Sequence, residues 1–468
     1  MKPFMDKDFL LENDFAKRLY HEYAENLPII DYHCHIHSQD IAENSTFSNI
    51  AQALLGKGNY GDHYLWRIIR ACGVTESEIT GDAPDRIRFQ KLAESIPNAI
   101  GNPVYQWLHM ELQKYFDFHD PLNADNAEEA WNTCNKTIEN GLSVHDVLKK
   151  TNVELIVTTD DPIDDLKWHS EILKDEKSPC KVIPAMRPDK VINIESPEFN
   201  SYIEKMSEVS GVKIIDLNSF KVALVNRMDY FEKMGCKVTD HGLDYIPNKK
   251  IDEKEWESIF SKKLEGKQLS DEEVEGYKTC CLTFFGREYA KRGWVMQLHY
   301  GARRNVNSRM YRMMGPDTGF DSISDKSNSQ ALAVFLDNLN EKGLLPKTIL
   351  YSLNPNDNAM ICTTMACFQG EVKGKLQHGC PWWFNDNKKG MEEQLTNLAN
   401  QGVLGNFIGM LTDSRSFFSY VRHDYFRRVL CNLVGSWVEK GEYPDDLPFV
   451  GKIIQNISYY NAKEYFGF

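Results

Sequence analysis

Two histidines separated by one residue, His33 and His35, are the feature of the sequence that most directly suggests chemistry. They end an apolar run, residues 28–36, which has the length and composition of a buried β-strand. Because alternate side chains of a strand share a face, both imidazoles would point the same way, with Asp31 one step before them. Two imidazoles held side by side form half of a site for a divalent metal such as zinc. Such a pair can equally arise by chance, or its imidazoles can be hydrogen-bonded within a core without binding a metal. The residues at the other strand ends must therefore distinguish a metal site from these explanations.

The elements that would position this pair alternate regularly between strand and helix. Further strand-like runs lie at 153–162, 181–188, 235–242, 294–301, 348–355, 375–383 and 407–414. Helical patterns separate or follow them, for example at 199–209, 218–234, 252–291, 329–342, 390–402 and 416–440. Eight strand–helix units predict an α/β fold of the (β/α)8, or TIM, barrel class.

The chain is longer than such a barrel requires. A minimal barrel takes about 250 residues, whereas this chain has 468. We expect the surplus to form a large helical insertion after the first strand, at about 37–150, and extra C-terminal helices. The sequence shows no low-complexity linker and no internal repeat, which favours a single distorted barrel domain spanning 1–468.

Composition narrows the class of partner. The formal net charge of −14 disfavours nucleic acid and anionic membranes as partners. No apolar run reaches the roughly 18 residues that a membrane span requires, and the N-terminus lacks the apolar core of a signal peptide. Eleven cysteines without a CxxC pair favour reduced thiols, so we expect a cytoplasmic protein.

Polar residues cluster at the predicted strand ends, which meet at one mouth of a barrel. They are Asp160, Asp161, Arg187, Asp240, His241, His299, Arg303, Arg304, Asn354, Asn356, Asp357, Asn358, Trp382, Trp383, Asp413 and Arg415. A strand-end aspartate is often the N-cap of the next helix, which is the ordinary explanation for Asp160 and Asp161. The convergence of the first-strand pair with His299 and Asp413 nevertheless predicts a metal site.

This arrangement resembles the amidohydrolase superfamily, which carries His-x-His on strand one, often a histidine on strand five, and an aspartate on strand eight. Two departures from that pattern matter. Strand four lacks the lysine that bridges two metals in binuclear members, and strand six lacks the histidine usual in hydrolytic members. The resemblance therefore implies a single metal ion and a reaction other than the usual hydrolysis.

Longer motifs narrow the resemblance to the uronate (glucuronate) isomerase family, essentially from end to end. They are Met1-Lys-Pro-Phe-Met5, Asp31-Tyr-His-Cys-His35, Gly61-Asp-His-Tyr-Leu-Trp-Arg67, Thr158-Thr-Asp-Asp-Pro162, Arg187-Pro-Asp-Lys190, Asp240-His-Gly-Leu-Asp244 and Leu411-Thr-Asp-Ser-Arg-Ser-Phe417. The family implies a distorted barrel in the cytoplasm. It also implies the conversions of D-glucuronate to D-fructuronate and of D-galacturonate to D-tagaturonate.

Aldose–ketose isomerisation moves a proton from C2 to C1 through a cis-enediol, or moves a hydride directly. The proton route requires a base, an acid and a stabilised oxyanion. Neither route requires a nicotinamide cofactor, and the sequence has no clear strand–GxGxxG–helix unit. The resemblance implies one divalent metal ion, with zinc as the expected metal, although sites of histidine and aspartate also accept manganese, iron and cobalt.

The resemblance also implies roles for individual residues. Guanidinium groups bind carboxylates bidentately, which suits a pocket for an acidic sugar. The metal ligands would be His33, His35 and Asp413, with His299 as a ligand or proton carrier. The catalytic residues would be Asp413 as base and Tyr64 as acid, together with His299 and His35. Arg187 and Arg415 would hold the substrate carboxylate, and the sugar pocket would be completed by Arg304, Asp240, Trp382 and Tyr64.

Two other functions fit parts of the pattern. A mononuclear metal-dependent hydrolase of the amidohydrolase type would use the same metal to activate water. A sugar-acid-binding protein would require the arginines but not a metal with a neighbouring base. The sequence leaves open whether glucuronate or galacturonate is preferred, and whether the protein forms a homo-oligomer.

Overall fold

A computed structural model describes residues 2–58 and 60–468, so Met1 of the N-terminal motif lies outside the described residues. The strands of the described part are β1 (Ile29–Asp31), β2 (Val153–Asp160), β3 (Lys181–Met186), β4 (Val238–Gly242), β5 (Val295–Tyr300), β6 (Ala302–Arg303), β7 (Ser322–Ile323), β8 (Thr348–Ser352) and β9 (Leu376–His378).

Helices connect and surround these strands. The α-helices over the same residues are α1 (Asp14–Leu19), α2 (Ser38–Ala42), α3 (Ile50–Leu55), α4 (His63–Ala71), α5 (Asp85–Ser95), α6 (Pro103–Phe116), α7 (Ala127–Glu139), α8 (Val144–Lys150), α9 (Lys167–Ile172), α10 (Asp189–Ile192), α11 (Phe199–Ser210), α12 (Leu217–Lys233), α13 (Glu253–Leu264), α14 (Asp271–Arg292), α15 (Ser308–Met314), α16 (Ser329–Asn340), α17 (Asn358–Ala366), α18 (Lys388–Gln401), α19 (Val421–Glu439), α20 (Leu447–Gln455) and α21 (Asn461–Phe466). Within 2–58 and 60–468, no helix has both the length and the apolarity to span a membrane.

Seven of the strands form one parallel sheet in the order β1-β2-β3-β4-β5-β8-β9. A short antiparallel pair, β6 and β7, follows β5 outside this sheet. Consecutive strands of the sheet are joined by helical crossovers, because parallel neighbours cannot be connected by a tight turn. The predicted α/β fold and the chain-order pairing of a TIM-like barrel are confirmed.

The last predicted strand, 407–414, differs from the expectation. It forms no regular strand, although it runs beside β1: the Asp413 amide donates to the His33 carbonyl at 3.1 Å and the His35 amide donates to the Ser414 carbonyl at 2.9 Å. Gly409 and Asp413 adopt left-handed backbone, with φ of 79° and 47°. A left-handed residue cannot continue a strand, so the barrel is distorted at this position.

A buried carboxylate ties this irregular segment to the sheet. Asp31 on β1 is fully buried and accepts hydrogen bonds from the Thr412 amide at 2.8 Å and the Thr412 hydroxyl at 2.6 Å. His423 of α19 lies 3.8 Å from the same carboxylate. Because Asp31 accepts from the Thr412 amide, which the backbone of a neighbouring strand would otherwise pair, its carboxylate replaces one hydrogen bond of the missing strand pairing.

The segments outside the barrel strands are helical, as expected, with one difference in detail. The predicted insertion after the first strand contains α2 to α8. The helical pattern predicted over 252–291 is present as two helices, α13 and α14, which are separated by a turn with Gly266 at a φ of 76° and with Ser270 capping α14. Apolar side chains of the insertion, such as Trp66 and Phe89, belong to the same core cluster as Val295 of β5. That the chain forms a single domain stays a prediction.

We predict that Asp31→Ala lowers the midpoint of thermal unfolding. Removing the carboxylate leaves two buried Thr412 groups without a partner, at a cost of about 1–3 kcal/mol for each. Differential scanning calorimetry measures the effect, with Asp14→Ala as the control because the Asp14 side chain is 94% exposed. Equal midpoints for the two variants would show that the Asp31 contact does not hold the segment.

Candidate active site

The carboxyl ends of the strands surround a cavity of about 480 Å³. Its wall includes most of the predicted site residues and several others: His33, His35, Asp62, His63, Tyr64, Asp160, Asp161, Arg187, His299, Arg304, Asp317, Trp382, Trp383, Asp413, Arg415 and Arg422. Asp240 lies behind the wall rather than on it. Other strand-end residues, His241, Arg303, Asn354, Asn356, Asp357 and Asn358, do not line this cavity.

Two histidines converge on one carboxylate oxygen in this cavity. His33 Nε2 lies 3.1 Å from Asp413 Oδ1, and His35 Nε2 lies 3.0 Å from the same oxygen. Ligands of a tetrahedral zinc, each about 2.0–2.1 Å from the metal, lie about 3.3–3.4 Å apart. The three ligand atoms therefore need to move only slightly apart to hold one ion. Imidazole nitrogens and a carboxylate oxygen are also suitable ligands for a divalent metal.

A second set of groups overlaps the first through His33. The His299 Nδ1 hydrogen-bonds to Asp240 Oδ1 at 2.6 Å, which directs its Nε2 away from Asp240. That Nε2 is buried and has no hydrogen-bond partner among the described residues. His33, Asp240 and His299 also offer atoms close enough together for a metal ion. A buried donor set with unpaired nitrogen is consistent with a bound cation that the chain alone does not provide.

The electrostatics keep the two carboxyl groups ionised. Burial raises the pKa of Asp413, but hydrogen bonds from His33 and His35 outweigh it and hold that pKa well below its usual range. Burial likewise raises the pKa of Asp240, and the charges of His33, Arg187 and His299 bring the net pKa well below normal. Ionised carboxylates are the form that binds a metal.

Asp413 is held in a strained conformation. Its backbone is left-handed, with a φ of 47°, which costs a residue other than glycine about 1–3 kcal/mol. Its second carboxylate oxygen, Oδ2, accepts a hydrogen bond from Trp382 Nε1 at 2.8 Å. The indole thus fixes one oxygen while the histidines approach the other, and the strain is consistent with a functional position.

The predicted arginines all reach the cavity but differ in how firmly carboxylates hold them. Arg187 Nε lies 2.7 Å from Asp189 Oδ2, and its Nη1 lies 3.2 Å from Asp240 Oδ2. Arg304 Nη1 lies 3.2 Å from Asp321 Oδ2. Arg415 is the least constrained, because the nearest carboxylate in the described part of the chain, that of Asp317, is 3.9 Å away.

Tyr64 enters the cavity from the insertion. Asp62 caps α4 by accepting from the Tyr64 amide at 2.8 Å, so the first turn of this helix faces the mouth of the barrel. The Tyr64 ring stacks on His63 with centroids 4.9 Å apart. Burial raises the pKa of Tyr64 well above its ordinary value and lowers the pKa of His63 to about 3. Both groups are therefore neutral near pH 7.

Among the cavity residues that sequence reasoning did not single out are His63, Asp317 and Arg422. Arg422 is almost fully buried on α19, with its guanidinium 4.1 Å from the centre of the Trp107 ring and 3.8 Å from Asp62 Oδ2. The same helix also carries Asp424, Arg427 and Arg428, so its charge pattern alone does not single out Arg422. His63 stands beside the recognised Tyr64, whereas Asp317 lies in a loop that carries no pattern.

The N-cap explanation for Asp160 and Asp161 is wrong, because the N-cap of the next helix, α9, is Leu166. Asp161 instead accepts hydrogen bonds from the Tyr202 hydroxyl at 2.6 Å and the Ile163 amide at 3.1 Å, and so stabilises the loop. Asp160 faces the cavity.

Comparison with known proteins gives a consistent answer. Residues 1–466 match the family model described as glucuronate isomerase. The chain is 53% identical to a uronate isomerase of Lachnoclostridium phytofermentans over 470 residues, covering 100% of both chains. It is 54% identical to a uronate isomerase of Lachnospira eligens over 471 residues, again covering 100% of both.

The fold agrees with a solved structure. A crystal structure of uronate isomerase from Thermotoga maritima superposes with a TM-score of 0.93 at 33% identity, covering 99% of this chain and 100% of that one. Together with the end-to-end sequence matches, this superposition means that the chain belongs to the uronate isomerase family.

Proposed function

We propose that the chain interconverts D-glucuronate with D-fructuronate, and D-galacturonate with D-tagaturonate, by aldose–ketose isomerisation in hexuronate catabolism. The observation that carries the proposal is a cavity in which arginines from three parts of the chain face the His33, His35 and Asp413 cluster. An acidic sugar requires cations for its carboxylate, and its isomerisation requires polar groups at the other end. Three relatives that are 50–54% identical to the whole chain are uronate isomerases, which favours isomerisation over the hydrolase alternative.

The metal ligands in this proposal are His33, His35 and Asp413, with His299 beside them. A single divalent ion, with zinc as our proposed identity, would polarise the substrate oxygens and stabilise negative charge as it develops on them. His299 is oriented by Asp240, which fixes the tautomer in the way that a carboxylate behind a metal-site histidine usually does. Asp240 thus acts through His299 and Arg187, not by touching the sugar.

The remaining groups bind the substrate and move its protons. Arg415 and Arg187 hold the carboxylate of the uronate, and Arg304 and Trp382 complete the wall of the sugar pocket. Asp413 is the proposed base for the proton on C2, because its carboxylate lines the cavity and its low pKa keeps it ionised. Tyr64 is the proposed acid, since its phenol stays protonated.

The first test is the reaction itself. The purified protein is incubated with D-glucuronate or D-galacturonate in D2O, and the ketose is followed by NMR. We expect ketose formation, and deuterium at C1 of the product if the proton on the base exchanges with solvent. Absence of ketose from both sugars, with metal supplied, would refute the proposed function.

We predict that His33→Ala lowers the amount of bound metal. The substitution removes one of the imidazoles that approach Asp413, so elemental analysis of the purified variant should find less metal per chain than in the wild type. His119→Ala is the matched control, because the His119 side chain is 65% exposed and its ion-pair partner, Asp117, is itself 95% exposed and far from the cavity residues in sequence. Equal metal content in the two variants would contradict the first-strand site.

We predict that Arg415→Met lowers kcat/KM for uronates. Losing a charge pair to the substrate carboxylate should remove about 2–5 kcal/mol of stabilisation, or about 30-fold to several thousand-fold in kcat/KM. Steady-state kinetics measure the loss, and Arg18→Met on the surface of α1 is the control. A kcat/KM within a few-fold of the wild type would remove Arg415 from the site.

A further inference from the structure

The orientation of His299 is not explained by the roles assigned above. Its imidazole is buried near the end of β5, and its Nε2 has no hydrogen-bond partner among the described residues. The χ2 torsion of a histidine is soft and roughly two-fold, so the backbone alone does not fix the plane of the ring. Neighbouring side chains must therefore hold the ring if Nε2 is to be presented to the cavity.

Asp240 supplies one of these constraints. Its Oδ1 lies 2.6 Å from His299 Nδ1, which selects the edge of the imidazole that turns away from the cavity. A hydrogen bond to a single ring nitrogen still allows the ring to tilt about the line between these two atoms. A second contact, made with the face of the ring, is needed to remove that tilt.

Tyr351 of β8 provides the contact with the ring face. The centroids of the Tyr351 and His299 rings are 4.0 Å apart and their planes differ by 9°, so the two rings are stacked. The residues lie directly opposite each other on the paired strands β5 and β8, so the sheet itself sets their spacing. The rings of His33 and Trp382 also approach His299, but they are inclined to it by 31° and 58°. Of these three neighbours, Tyr351 is the one whose face matches the imidazole.

The Tyr351 ring is itself fixed at its hydroxyl. Burial raises the pKa of Tyr351 well above its ordinary value, so the phenol stays protonated and donates to Gln297 Oε1 at 2.7 Å. The Gln297 Nε2 donates in turn to the Tyr32 carbonyl at 3.3 Å, directly before His33. Gln297 is fully buried and shares a strand face with His299. This amide therefore ties β5 and β8 to the segment that carries the first-strand histidines.

Gly379, which follows β9, leaves the space that the Tyr351 ring occupies. A Cβ at this position would lie 2.0 Å from Tyr351 Cε1, far inside van der Waals contact. The Gly379 amide donates to the Leu350 carbonyl at 2.9 Å, which holds this backbone against the strand that carries the ring. Gly379 does not have a positive φ, so the close approach of the ring accounts for a glycine here.

We propose that Tyr351 is a positioning residue for the isomerase reaction. Its ring holds the plane of the His299 imidazole, while Asp240 selects the edge, and together they direct Nε2 into the cavity. Tyr351 does not line the cavity, so it acts through His299 and not on the sugar. The inference rests on the proposed function, in which His299 is a metal ligand or a proton carrier.

Comparing Tyr351→Phe with Tyr351→Leu tests this role. Phenylalanine keeps the flat face, so we expect kcat for D-glucuronate and the affinity for zinc, measured by competition with a chelator, to stay within a few-fold of the wild type. Leucine removes the face and frees the imidazole. Because losing a residue that orients a metal-site histidine costs about 10- to 100-fold in metal affinity or activity, we expect losses of that size in Tyr351→Leu.

Tyr300→Leu is the matched control. Tyr300 is as buried as Tyr351 and lies on β5, but successive residues of a strand point to opposite faces, so its ring is not on the His299 side. We expect this change to lower stability without lowering zinc affinity or kcat to the same extent. If Tyr351→Leu does not fold, Tyr351→Met takes its place, because methionine adapts to fill a core gap and also lacks a flat face.

Equal zinc affinity and equal kcat in Tyr351→Phe and Tyr351→Leu, whether near the wild type or equally reduced, would overturn the inference. An equally large loss in Tyr300→Leu would do the same, because it would show that any buried tyrosine of this sheet has the effect. A wild type that makes no ketose from either uronate would instead refute the proposed function.

Discussion

The carboxylate of Asp413 is the point on which the rest of the site depends. One of its oxygens faces His33 and His35 from the first strand, and the other accepts a hydrogen bond from Trp382. This placement requires a left-handed backbone conformation at Asp413, which costs free energy. The conformation persists because the segment is anchored on both sides of Asp413: Asp31 accepts from the Thr412 amide before it, and the His35 amide donates to the Ser414 carbonyl after it. Loss of regular strand geometry is therefore coupled to the formation of the site.

A protein with a net charge of −14 must bind an anion by local arrangement of its cations. The cavity does this with guanidinium groups, but most of them are already engaged with the protein's own carboxylates. Arg187 is held by Asp189 and Asp240, and Arg304 by Asp321. Such pairs fix the orientation of each guanidinium, but they also neutralise part of its charge, so it attracts a substrate carboxylate less strongly. Arg415, whose nearest carboxylate is more distant, is the cation most available to an incoming uronate.

Sequence reasoning located the strands well, because a parallel sheet covered by helices leaves continuous apolar runs that end in polar residues. It therefore placed His33, His299 and Arg187 at one mouth. It failed at 407–414, where an apolar run reads as a strand but Asp413 adopts left-handed backbone and Thr412 bonds to a side chain. Those features depend on contacts with residues nearly four hundred positions away in the sequence, such as the Asp31–Thr412 pair. Arg422 was missed for a related reason. Its guanidinium contacts Trp107 and Asp62, and only the folded chain brings these residues near it.

The most direct measurement is anomalous X-ray diffraction from crystals of the metal-loaded protein, recorded at the absorption edge of the metal that it carries. The geometry described here predicts one strong peak within bonding distance of His33 Nε2, His35 Nε2 and the Asp413 carboxylate. A metal peak elsewhere, with these three side chains still in direct contact with one another, would contradict the central claim.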